Sequence, residues 1–176
     1  MRRIGLWSEV IVKEDERALL SRDGRLLRLL EPGRFKAFDP GWRLTAEVIK
    51  VSRAEIAVER ARLIERTDPA LAAANLEIVQ AGPAEVAIVS FDGEPKHLVL
   101  PNTARAFWKT LTRVDVERID TAADMRVAKA HLDRMDLARN PVVTHAIVGA
   151  HEAGLLIVDG RLAERLGPGR HAFWQV

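Results

Sequence analysis

Glu16-Arg17-Ala18-Leu19-Leu20-Ser21-Arg22-Asp23-Gly24 returns in this chain as Glu85-Val86-Ala87-Ile88-Val89-Ser90-Phe91-Asp92-Gly93, and again as Glu152-Ala153-Gly154-Leu155-Leu156-Ile157-Val158-Asp159-Gly160. Self-similarity has to be settled before any motif is weighed, because a missed repeat misassigns the whole fold. The alignment runs on without gaps to Leu30-Glu31-Pro32, Val99-Leu100-Pro101 and Leu166-Gly167-Pro168. Each copy then closes on an aromatic: Phe38, Phe107-Trp108, and Phe173-Trp174 one residue early. At ordinary residue usage a three-way identity at one column arises by chance roughly 0.4% of the time. Glu, Asp, Gly and Pro each recur in all three copies at fixed offsets, so the recurrence is a structural unit.

The physical sense of that unit is a β-hairpin. Leu19-Leu20, Ile88-Val89 and Leu155-Leu156 are apolar on both faces, the pattern of a strand covered on both sides. Asp23-Gly24, Asp92-Gly93 and Asp159-Gly160 supply the positive φ angles of a tight two-residue turn. Pro32-Gly33 and Pro168-Gly169 make the next turn, with Pro fixing φ and Gly taking the second position. The second copy has Pro101-Asn102 there, and Asn is the next most tolerant residue. Its Pro95 demotes the returning strand to a sheet edge or an irregular strand. The recurring Glu16, Glu85 and Glu152 are candidates for pairing with a repeated basic position, Arg28 and Arg165, served by Lys96 or His97 in the second copy.

Working outward, Val10-Ile11-Val12, Leu76-Glu77-Ile78-Val79 and His145-Ala146-Ile147-Val148 read as short strands leading into each hairpin. Ala46-Glu47-Val48-Ile49-Lys50-Val51 and Arg113-Val114-Asp115-Val116-Glu117 alternate like half-buried strands following the first two. Thr67 or Asp68 caps a short helix with Pro69 in its first turn. Residues 121–137 read as the strongest helix. The expectation is a β-rich α+β fold of three tandem copies of a small hairpin-containing β unit, joined by strand–short helix linkers. Unit 1 covers 1–78, unit 2 covers 79–145, and 146–176 begins unit 3.

Composition narrows the function. The chain has no cysteine, which excludes a disulfide framework, a thiolate metal site and a cysteine nucleophile. Twenty-seven basic side chains face 25 acidic ones, and the basic residues are scattered instead of forming the clustered stripe that nucleic acid requires. No apolar run approaches the roughly 18–20 residues of a spanning helix, and no h-region follows Arg2-Arg3. The expectation is a soluble, cytoplasmic chain without a nucleic-acid partner.

Catalytic patterns are equally thin. His97, His131, His145, His151 and His171 form no H-E-x-x-H or H-x-H spacing. Gly167-Pro168-Gly169 lacks the helix and Lys-Ser/Thr pair of a phosphate loop, and G-x-S-x-G is missing. Asp23, Asp92 and Asp159 are turn residues by their glycine neighbours. No catalytic, metal or cofactor site and no small-molecule substrate is expected.

The form E-x-A-L-L-x-x-D-G, followed by L-x-P-G-R and a closing aromatic pair, resembles the opening of the SPFH (band 7) domain of stomatins and prohibitins. It is most similar to bacterial slipin-type proteins, which carry such hairpin units ahead of the SPFH body. Arg34, Arg170, Phe38, Phe173 and Trp174 match the closing part of that motif, and the resemblance covers the hairpins at 16–39, 85–108 and 152–174. It implies a non-enzymatic scaffold that forms homo-oligomers, works near a membrane at the periphery of the inner membrane, and partners a membrane protein or a protease. The family's membrane hairpin and SPFH body have no counterpart here. The third copy breaks off before the strand that follows the first two, so the sequence is expected to continue past Val176 with that strand and an SPFH body. A stand-alone module that binds partners at β-sheet edges is the second reading.

Overall fold

The computed structural model of the chain describes residues 1–135 and 142–175. Its elements run β1 Arg2–Ile4, β2 Trp7–Val12, β3 Glu16–Arg22, β4 Arg25–Leu30, β5 Gly33–Phe38, β6 Leu44–Lys50, β7 Glu55–Ile56, α1 Val58–Thr67, α2 Pro69–Asn75 and β8 Leu76–Gln80. They continue β9 Glu85–Phe91, β10 Glu94–Val99, β11 Ala104–Trp108, β12 Val114–Asp120, α3 Lys129–Arg134, β13 Val143–Val148, β14 Gly154–Val158, β15 Arg161–Leu166 and β16 Gly169–Trp174. The fold is β-rich α+β, built of small antiparallel sheets.

The repeat is visible in the pairing. In the first copy β2 and β5 pair as a ribbon with β1 added on the other edge of β2, β3 and β4 form the hairpin, and β6 adds to the free edge of β3. The second copy repeats this with β8–β11, β9–β10 and β12 on β9. The third has β13–β16 and β14–β15. Register is conserved residue by residue: Ala18 faces Leu30, Ala87 faces Val99 and Gly154 faces Leu166. All three hairpins also carry one extra residue at the same place on the returning strand, Leu27, Lys96 and Ala163. Such a bulge twists a strand locally, so this twist belongs to the repeat. Pro95 lies beside that bulge on β10, an edge strand, where its missing N–H costs no ladder bond.

The turns account for the recurrent Asp-Gly pairs. Asp23 and Gly24 have φ of 51° and 79°, Asp92 and Gly93 52° and 83°, and Asp159 and Gly160 49° and 74°. Two successive positive φ values are those of a type I′ turn, whose twist matches the strands it joins. After Pro32 and Pro168, Gly33 and Gly169 take φ of 147° and 140°, and after Pro101, Asn102 takes 57°.

The recurring Glu has a different task from the one expected. Glu16, Glu85 and Glu152 each accept a hydrogen bond from a backbone N–H three residues earlier, on Lys13, Gly82 and Gly149, at 3.1, 3.3 and 3.0 Å. The N–H of each Glu in turn donates to that residue's carbonyl. The carboxylate therefore closes the turn between ribbon and hairpin, while Arg28 lies over the Phe35 ring. Glu85 additionally takes Arg118, an acceptor–donor pair at 2.6 Å.

Compactness divides the chain into two units, Met1–Val79 with Ala104–Val114, and Gln80–Thr103 with Asp115–Val176. The second copy is thus shared, its ribbon in the first unit and its hairpin in the second. In the first unit one core joins Leu19 and Leu29 of the first hairpin to Ile56, Ala61, Ile64, Leu76 and Trp108. A smaller one places Val10 and Val12 of the first ribbon on Ala18 and Leu30. In the second unit Val86, Val127, Val143, Ala172 and Trp174 form one core, and Val148, Leu166 and Phe173 another. Gly154 occupies the position of the fully buried Ala18 and Ala87, and a Cβ there would stand 3.1 Å from Val148 Cγ2 and 3.2 Å from Leu166 Cβ.

Two expectations are corrected. Residues 121–137 are not one helix: only Lys129–Arg134 is helical among the described residues, and 136–137 lie outside them. Asp120 Oδ1 accepts the Ala122 and Ala123 N–H groups, and Val127 N–H donates to Ala172 O as Arg126 bridges Phe173. Pairing with β16 overrides local helix preference. The longest helix among the described residues, α1, has no counterpart in the sequence expectation, and it buries Ala61 and Ile64 on one face. The third hairpin also departs from the expected two-sided cover, because Leu155 and Ile157 are exposed.

Candidate interaction faces

Each ribbon has two faces. One lies on the hairpin of its own copy where a single unit holds both, as Val10 and Val12 do. The other carries the first residue of the leading strand and the last of the closing strand, which pair directly: Trp7 with Phe38 and Val143 with Trp174. In the second and third copies this face is covered. Leu76 and Trp108 lie in the core with α1, and Val143 and Trp174 in the core with Val127. The short strand β7 supports the first arrangement by pairing Ile56 with Ala106, and Trp108 N–H donates to Ala54 O at 2.7 Å. Arg126 and Met125 repeat it, the latter by accepting Trp174 N–H at 2.8 Å.

In the first copy the same face is open. Trp7 and Phe38 are 50% and 55% exposed, against 2% and 3% for Trp108 and Trp174. Their rings meet edge to face with centroids 5.5 Å apart. A recess of about 250 Å³ beside them is lined by Ile4, Trp7, Glu9 and Lys36. Glu9 is buried there against Arg34, with Nε 2.8 Å from Oε1.

The ribbon is held by a buried carboxylate. Asp39 follows Phe38 and accepts from Ser8 Oγ at 2.9 Å, Arg43 N at 2.9 Å and Leu44 N at 3.1 Å. Burial works to raise its pKa, but those three donors outweigh it and hold the carboxyl below its ordinary value. Asp23, at the hairpin turn, is also lowered, through its hydrogen bond and ion pair with Arg43. Arg43 and Asp39 thereby tie the loop after β5 to both hairpin and ribbon.

The second open face is on the last hairpin. Leu155, Ile157 and Leu162 are 61%, 61% and 63% exposed, whereas Leu19 and Ile88, the equivalents of Leu155, are 6% and 1%. The edge of β14 is also unpaired among the described residues, where β3 receives β6 and β9 receives β12. An open strand edge with an apolar face is a template for another strand.

Elsewhere the chemistry is dispersed. His97 meets the Phe91 ring at 5.3 Å, His131 Nε2 lies 3.2 Å from Glu117 Oε1, and His171 Nε2 lies 2.8 Å from Gly167 O. No group of three or more His, Asp or Glu that could hold a metal ion occurs among the described residues. No helix among them is long and apolar enough to cross a membrane. A cavity of about 350 Å³ between the first ribbon and its hairpin is lined largely by apolar groups, including Val10, Leu20 and Phe35. Its Ser8 hydroxyl is already committed to Asp39.

Comparison of the chain with protein-family models, curated proteins and solved structures found no match. The turn residues singled out from sequence, Asp23, Gly24, Pro32, Gly33, Asp92, Gly93, Pro101, Asp159, Gly160, Pro168 and Gly169, all lie at or beside hairpin and ribbon turns. Trp7 and Asp39 escaped the sequence reading. A clue to Trp7 was available, since it aligns with Leu76, the first residue of the strand recognised in the second copy.

Proposed function

We propose that this chain is a non-enzymatic assembly region, a tandem array of one β unit that mediates self-association or contacts with other proteins. One observation carries the reading. The first and last copies expose, at Trp7, Phe38, Leu155, Ile157 and Leu162, faces whose counterparts Leu76, Trp108 and Leu19 are buried. Apolar surface gathered in this way marks interaction sites. The narrower reading, a slipin-type, stomatin-like scaffold beside a membrane with a membrane protein or protease as partner, rests on the motif at 16–39, 85–108 and 152–174.

Light scattering over a concentration series tests self-association. The expected result is a mass that rises above the 19.6 kDa of one chain. The unpaired edge of β14 supports a second reading, a monomeric module that takes a partner's strand by edge addition. A constant monomer mass together with capture of an added extended peptide would favour that module and overturn the assembly reading.

A further inference from the structure

Within each unit the hairpin of one copy is covered by the ribbon of the next. Leu19 and Leu29 share a core with Leu76, Ala106 and Trp108. Val86, with Leu98 against it, shares one with Val143, Ala172 and Trp174. The same contact is made twice with different side chains, so it is a property of the repeat. Among the described residues the first ribbon and the third hairpin each hold one half of this contact with its apolar side chains exposed.

We infer that a second copy of the chain supplies the missing half: the last hairpin of one chain, through Leu155, Ile157 and Leu162, seats on the Trp7–Phe38 ribbon of another. This rests on the self-association reading and specifies its surface. The recess of about 250 Å³ beside Trp7 gives an aliphatic side chain a place to enter. The two faces differ, so the contact is head-to-tail, and such contacts propagate or close into rings. It is weaker than its internal counterparts for two visible reasons. Arg165 stands at the position of Leu29 and Leu98. The helical residues that complete the internal cores, Ala61 and Ile64 in one and Leu132 in the other, have no equivalent in it. Assembly therefore depends on concentration.

The test uses the whole chain with Phe38→Glu or Leu155→Glu, both at exposed positions. Circular dichroism melts establish that each variant is folded. Trp7→Glu and Ile157→Glu replace any that is not. Wild type is expected to gain mass with concentration, and each variant alone to stay at the 19.6 kDa of one chain. An equimolar mixture of the two is expected to reach twice that mass and no more, because one intact ribbon face then meets one intact hairpin face. If wild type assembles but either variant alone still does, or the mixture stays monomeric, the head-to-tail assignment is overturned and self-association stands. A monomeric wild type at every concentration overturns both.

Discussion

Replacing Asn75 by Ala should destabilise the first unit by about 2–4 kcal/mol. Asn75 is the last residue of α2, and only 2% of it is exposed. Its Oδ1 accepts from Arg17 Nε at 2.8 Å, and its Nδ2 donates to Leu71 O at 2.9 Å. Arg17 is itself buried, with Nη1 on Glu16 O at 2.8 Å. A hydrogen bond to a charged group contributes about 1.5–3 kcal/mol and a neutral one about 0.5–1.5 kcal/mol. The larger part of the loss comes from leaving a buried guanidinium N–H without its acceptor. Arg17→Met keeps the aliphatic stem and removes that demand, so Asn75→Ala made on top of it should cost at least about 1 kcal/mol less. Urea denaturation followed by tryptophan emission reads this out, since Trp7, Trp42 and Trp108 belong to the first unit. A cost below about 0.5 kcal/mol for Asn75→Ala, within the range of an ordinary surface substitution, would refute the reasoning. So would strict additivity in the double variant.

The hairpin turns predict that Gly24→Val and Gly160→Val each destabilise by about 1 kcal/mol or more, because a β-branched residue is forced to positive φ; unchanged thermal melts would contradict this. The carboxylates predict a pH response of defined sign. Asp23, Asp39 and Glu85 have folded-state pKa values below their ordinary ones. Their stabilisation is therefore complete above the unfolded value of about 4 and is lost as pH falls through the lower folded values. Asp39→Asn turns an amide donor toward one of two backbone N–H groups. It should melt lower than wild type at neutral pH, and the gap should narrow on acidification; a constant gap across that range would remove Asp39 from the account.

Much of the fold was legible because the repeat made three weak signals into one strong one. The Asp-Gly pairs and the leading strands before each hairpin follow from residue chemistry applied in triplicate, and the alternating β6 and β12 from a pattern that occurs twice. The capped start of α2 at Asp68-Pro69 was legible from a local rule, and Leu71 N–H does donate to Asp68 Oδ1. What escaped depends on distant partners. The two residues of β7 form a strand only because Ala106 and Phe107 lie beside them. α1 has Ala57 at its N-cap and no side-chain cap, so no start signal stood in the sequence. The same non-local pairing at Phe173 breaks the helix expected over 121–137. The open faces were hidden for a related reason: Leu155 and Leu19 read alike until their surroundings are known.

The sharing of the second copy between units has a consequence in time. The first unit needs Ala106 and Trp108 for its main core, yet the chain passes through residues 80–103 of the second unit before reaching them. During synthesis β8 emerges and must wait for β11 while a whole hairpin is made in between. The first unit is thus finished only after part of the second already exists, and loop closure over that interval sets when it can close. A nascent chain halted at residue 79 has every strand of the first copy and still lacks the tryptophan that seals it.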